Sequence, residues 1–367
     1  MSANPPSPPS ETGRPSFRVK PLTSPGGPVE MPSEFDPQRL LKRTLQIVLV
    51  LGVFGLVILL APGLGSVRDL LTGADPAWIV LAIVLEALSG VCYVLMFRPI
   101  FCRHMPWRTS WEISWSELAM GSVVPASGAG GLALGAWILH EGGMPGEQIA
   151  RRSVAFFLIK SSVNFVAVVV VGTVMALGLA GPDLSIWLTA VPAVGAAGVI
   201  ALILVLPRLG PGPTPGPDAG KLARGVAAGR RALINGTAEA ITVVRSGDLL
   251  VIFGAIGYWA FDNAVLWATL HAFGASPAIT LVLMAYLIGQ LGGLLPIPGG
   301  IGGIDGGLFG AFVLLGTPVA TTAAAVLAYR VILFWLPLIV GAIAFLSLRR
   351  GLNRPDRPDL CVVPAAS

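Results

Sequence analysis

Charge is scarce in this chain. Only 12% of its 367 residues are Asp, Glu, Lys or Arg and 54% are hydrophobic, where soluble proteins carry about 25% charged residues. With a mean hydropathy of +0.79, that balance excludes an ordinary soluble domain and describes a membrane protein. Cysteine is scarcer still: Cys92, Cys102 and Cys361 are too few and too scattered for a disulfide framework or a thiolate metal site. His104, His140 and His271 stand far apart and make no metal-ligand spacing. Nucleotide loops, nucleophile elbows and paired catalytic acids are all missing, so no enzyme chemistry and no cofactor are expected. No run of alternating segments suggests a β-barrel. The chain is basic, with a pI near 9.4, but its Lys and Arg lie in loops between apolar runs, where they set orientation rather than bind nucleic acid.

What is present is a set of apolar runs. Spans of membrane-crossing length are expected at 45–64, 78–97, 153–180, 186–206, 248–273 and 318–348. Two further apolar stretches, 114–139 and 279–316, are broken in the middle by proline and clustered glycine. Each reads as two half-helices meeting at a break, re-entrant or spanning. The fold class is therefore an all-α polytopic membrane protein with about six full spans and two broken hairpins. Residues 1–38 form a Pro-rich tail too poor in apolar residues to build a core. They precede a first membrane repeat at 39–206, a basic loop at 207–247, a second repeat at 248–350 and a tail at 351–367. No cleaved signal peptide is expected, because the first apolar run follows a basic cluster at Arg39, Lys42 and Arg43.

The positive-inside rule orders these spans. With the amino terminus inside, the basic residues around 98–108, 151–152, 207–247 and 349–350 all fall on one side, and the nearly uncharged segment 274–277 falls on the other. Both termini are then cytoplasmic. The first half starts inside and the second starts outside, so the two halves form an inverted-topology repeat, with an interrupted segment at corresponding positions in each. Such pairs mark the binding sites of transporters.

The second break, "PIPGGIGGID" at 296–305, puts two prolines, four glycines and an acid into the most apolar part of the chain. Backbone freed by a broken helix is tolerated at membrane depth only where protein or a water-filled cavity satisfies it. The glycines alone read as close helix packing; with Pro296, Pro298 and Asp305 beside them, a cavity is favoured. Charged residues inside spans point the same way: Asp262, Glu86, Lys160 and Arg330 each stand mid-span, where an ionisable group costs roughly 3 kcal/mol or more. Asp262, Asp305 and Arg330 fall in one repeat and flank its break. They read either as a polar pocket, with Arg330 holding an anionic head group and the acids contacting an amine or carrying protons, or as an ion pair that fixes packing. Glu86, Pro125 and Lys160 are secondary candidates. Trp107, Trp111 and Trp115 in "WRTSWEISWSEL" suggest an interfacial helix. The loop at 207–247 reads as a basic amphipathic helix on anionic lipid or as a solvated connector.

The run Pro, one residue, Pro-Gly-Gly, an acid, a Gly-x-Pro turn, then Tyr-Arg ahead of Trp-x-Pro, spread over 296–337, resembles the carboxy-terminal signature of the lysylphosphatidylglycerol synthase transmembrane (flippase-like) family. The resemblance covers about residues 40–350 and implies that Pro298, Gly299, Gly300, Asp305 and Arg330 line a lipid cavity, with Asp262 contributing from the preceding span. Asp305 stands where the family pattern has a glutamate, a shorter arm of the same charge. The synthase domain of the bifunctional members is not seen, so lipid synthesis is not expected. The resemblance implies a plasma-membrane translocase that moves a phospholipid or lipid-linked head group between leaflets. Its ligand would be an anionic or aminoacylated phospholipid or a polyprenyl-linked sugar, and a second copy or a partner synthase is left open. The alternative is a non-catalytic scaffold for a lipid- or glycan-synthesising enzyme.

Overall fold

The computed structural model describes residues 65–123, 129–181, 185–210, 212–213, 220–291 and 303–352, with helical positions at 38, 41–42, 44–46 and 49. Among these the regular structure is entirely helical. A short α1 (Gly65–Thr72) leads to α2 (Pro76–Phe101), the half-helices α3 (Trp107–Val123) and α4 (Ala129–Glu141), and α5 (Gly146–Ala176). Then come α6 (Ile186–Val205) with a tight turn at Leu206–Leu209, α7 (Lys221–Arg245), α8 (Leu249–Ala272), the half-helices α9 (Ile279–Leu291) and α10 (Gly303–Leu314), and α11 (Val319–Leu352). Five helices, α2, α5, α6, α8 and α11, are long and apolar enough to cross a bilayer. The sixth expected span, 45–64, falls almost wholly outside the described residues.

Local chemistry starts the two central helices alike. Asp75 caps α2 by accepting from the N–H of Ala77 at 2.9 Å, with Pro76 in the first helical position. Asp248 caps α8 by accepting from the N–H of Leu250 at 3.1 Å. The two helices lie side by side in opposite directions. At one end the N–H of Asp75 donates to the carbonyl of Ala272 at 3.0 Å; midway the Ser89 hydroxyl donates to the carbonyl of Tyr258 at 3.1 Å; at the other end Arg103 pairs with Asp248. Gly254 makes the approach close enough that a Cβ there would stand 2.7 Å from the Met96 nitrogen.

α2 and α8, one from each expected repeat, run antiparallel, as an inverted arrangement requires. The hairpins agree: α3 of the first half packs on α11 of the second, where Trp115 and Ala119 meet Gly341, and α9 of the second half packs on α5 of the first. Each hairpin thus leans on the span that follows the hairpin of the other half. The basic residues gather at one end. Arg103 reaches Asp248, Arg108 reaches Ser347 at 3.4 Å, and Arg151 and Arg152 both reach Glu239.

Two expectations are corrected. The tryptophan-rich stretch at 107–118 is not wholly interfacial: Trp107 and Trp111 are exposed, but Trp115 is buried at 2% and packs on Val94 and Ala344. The helix runs on into the interior because Ser110, Ser114 and Ser116 are small enough to be buried with it on opposite sides. The loop at 207–247 is neither a bare connector nor a helix resting on lipid alone. Its α7 buries Ile234, Thr237 and Ala240 and is pinned by the Glu239 ion pairs to the start of α5.

Candidate functional site

The site is built where the second hairpin meets α8 and α11. Asp262 stands midway along α8 and is held by two hydroxyls: Tyr286 of α9 donates to one carboxylate oxygen at 2.5 Å, and Tyr329 of α11 donates to the other at 2.8 Å. Beside Tyr329, Arg330 donates from Nε to Asp305 at 2.7 Å and from a terminal nitrogen to the same oxygen. Asp305 lies in the first turn of α10, where the positive end of the helix dipole favours a carboxylate. The Asp305–Arg330 pair retains 19% and 17% side-chain exposure, so it is neither sealed nor at the surface.

A polar cavity of about 210 Å³ opens on the other side of Asp262. Glu86 of α2, Glu117 of α3, Lys160 of α5 and Tyr258 of α8 all line it. Glu117 is buried at 2% and accepts a hydrogen bond from the Tyr93 hydroxyl at 2.9 Å. The Lys160 ammonium is suspended between two rings, 5.7 Å from that of Tyr93 and 5.8 Å from that of Tyr258. Cation–π attraction of this kind is worth about 2 kcal/mol when desolvated, which offsets part of the cost of holding an ammonium at this depth. Leu333 and Pro337 of α11 close the far wall. Pro337 has no N–H, so the Leu333 carbonyl four residues before it loses its helical donor next to the cavity.

Glycines let the hairpins pack this tightly. A Cβ on Gly135 would collide with the Glu117 carboxylate, and Gly307 lies against Gly289, where a Cβ would stand 3.0 Å from its Cα. Close packing is therefore the role of these positions, as the sequence allowed, whereas Gly306 faces open space.

The sequence left Arg330 two candidate partners, Asp262 and Asp305. The three do converge; Arg330 takes Asp305 as its partner, and tyrosines hold Asp262. Glu86 and Lys160 share the cavity with Asp262. Pro298, Gly299, Gly300 and Pro125 lie outside the described residues. Sequence reasoning missed Glu117, hidden in a stretch polar enough to look interfacial, and it missed the tyrosines. The chain has four tyrosines, at 93, 258, 286 and 329, and every one stands at this site. Their rarity and their place inside apolar runs were the available signal.

Comparisons with known proteins identify a family. A family model described as the lysylphosphatidylglycerol synthase transmembrane region matches residues 44–341. A UPF0104 membrane protein of Methanothermobacter thermautotrophicus is 22% identical over 330 residues, covering 81% of this chain and 94% of the relative. Two shorter alignments with proteins of that description from the same organism reach 31% identity over 86 residues and 34% over 93. They cover 23% and 25% of this chain and 26% of each relative.

Proposed function

Because this chain belongs to the lysylphosphatidylglycerol synthase transmembrane-region family, we propose that it carries a lipid head group between leaflets through the cavity between its two halves. The observation that supports this best is the partly buried Asp305–Arg330 pair at the start of α10, close to a polar cavity in a protein with few charges to spare. Arg330 presents a planar fork suited to a phosphate, and exchanging Asp305 for a lipid phosphodiester would replace one charged acceptor by another. Asp262 and Glu117 would then face any amine on the head group. The work is binding and release, without chemical conversion. A phospholipid or lipid-linked sugar is the substrate class, and the positive-inside distribution supports a plasma-membrane protein with both termini in the cytoplasm.

A second reading is favoured by one observation. Asp305 already satisfies Arg330 within the protein, as a purely structural ion pair would, and that suits a scaffold that recruits a lipid- or glycan-synthesising partner. The two readings part in reconstituted vesicles. Arg330→Ala and Asp305→Asn are compared with wild type for exchange of a fluorescent phosphatidylglycerol, at matched incorporation. A translocase loses exchange by about tenfold or more in variants that still fold, since breaking a buried charged contact costs about 2–5 kcal/mol. A scaffold shows no exchange in any of them.

A further inference from the structure

Glu86 is the acid in the cavity that the site does not otherwise use. It is 8% exposed, its side chain lines the cavity, and among the described residues its carboxyl takes no hydrogen bond and no ion pair. Asp262, across the same cavity, has two hydroxyl donors, and Glu117 has one. Three acids therefore face a single lysine, and the donors are shared unequally.

The groups facing Glu86 are few. From α8 come Tyr258 and Asp262; from α9, Tyr286; from α3, Glu117; from α5, Lys160; beyond Asp262, Arg330 of α11 is already engaged by Asp305. Lys160 sits between the Tyr93 and Tyr258 rings and makes no ion pair with Glu86 among the described residues. Two carboxyls facing one enclosed space do not both keep a charge cheaply, and hydrogen bonds decide which does. Asp262 has its carboxyl held by Tyr286 and Tyr329, whereas Glu86 has a buried carboxyl facing the cavity with no such donors, which suits it to take up a cation. Among the described residues no three His, Cys, Asp or Glu side chains converge to hold a metal ion.

We propose that Glu86 is a proton-carrying site that couples head-group movement to a proton gradient. The inference rests on the translocase reading and adds its energy source. Glu86 takes a proton from water in the cavity when the cavity faces one side and returns it to water when the cavity faces the other. No bond other than O–H forms or breaks, and the net event is one proton moved with each lipid.

The experiment uses full-length protein in phosphatidylcholine–phosphatidylglycerol vesicles with a trace of fluorescent phosphatidylglycerol, the membrane potential being clamped with potassium and valinomycin. The equilibrium ratio of label between leaflets is read with and without a pH gradient. One proton per lipid shifts that ratio about tenfold per pH unit in wild type. Glu86→Asp keeps the shift, and Glu86→Gln holds the ratio at its gradient-free value. In parallel, infrared difference spectra follow the carbonyl band of a protonated carboxyl, present in wild type and lost in Glu86→Gln. Wild-type exchange that ignores the gradient overturns the coupling and leaves the translocase reading standing. If wild type exchanges nothing, the translocase reading fails for this lipid and the infrared band decides the proton site alone. A band that titrates and vanishes in Glu86→Gln upholds it; the absence of such a band overturns it.

Discussion

Asp262 owes its place inside an apolar helix to two phenolic hydroxyls, so the hydroxyls carry its cost. A hydrogen bond to a charged group is worth about 1.5–3 kcal/mol. Tyr286→Phe and Tyr329→Phe are each expected to lower stability in detergent by that amount. The two effects should not add, because both hydroxyls donate to one carboxylate, and a thermal-unfolding double-mutant cycle measures the difference. At the polar start of α8, Asp248 gives a pH prediction. Partial burial works against its charge, but the Arg103 hydrogen bond and the N–H groups of Leu250 and Val251 outweigh that and hold its carboxyl below the usual range. Its stabilisation is therefore complete above the unfolded carboxyl value of about 3.9 and is lost as pH falls through the lower folded one. Asp248→Asn keeps the cap but not the ion pair. Wild type should be more stable by about 0.5–1 kcal/mol at neutral pH, and the two melting curves should converge in acid. Asp262, Asp305 and Arg330 were legible in the sequence because a charge in an apolar run has few reasons to be there. Their pairing was not, since Asp262 and Asp305 are equally plausible partners for Arg330 until helix phase fixes which one the guanidinium meets.

At the scale of the element, the half-helices set the limits. With 13 residues in α9 and 12 in α10, neither is long enough to cross a bilayer alone at 1.5 Å per residue, so they pair through small residues. The α2–α8 contact depends on the same device. Gly254→Ala would push a methyl to 2.7 Å from the Met96 nitrogen and 2.8 Å from the Cys92 carbonyl oxygen. Backbone cannot yield there as a side chain could, and a loss of about 1–3 kcal/mol is expected, read as a lower melting temperature in detergent. The long spans could be read from hydrophobic length alone: the run expected at 186–206 is α6, and the run at 248–273 is α8. Length could not reveal that α3 begins at Trp107 and plunges inward, because burial of its Trp115 and Ala119 depends on α11, more than two hundred residues away. Nor could composition separate a basic helix on lipid from α7, whose fate was decided by Glu239 finding Arg151 and Arg152.

For the whole molecule, the inverted arrangement makes a directional prediction. Single cysteines at Ser246 and Ser276, in a background free of the native thiols, should react with an impermeant reagent from opposite faces of the membrane, Ser246 from the cytoplasmic face. Labelling of both from one face would overturn the topology. The seam between α2 and α8 has a mechanical consequence. Its two helices touch backbone to backbone at Gly254, hydrogen-bond at both ends of the contact and cannot part without breaking the core, so they are an axle rather than a gate. Nature has left half a rivet in it. A cysteine at Gly257 would place its Cβ 3.4 Å from that of Cys92, close to the roughly 3.8 Å typical of a disulfide. Oxidising Gly257→Cys should lock the axle without stopping the machine, because whatever swings must swing around it.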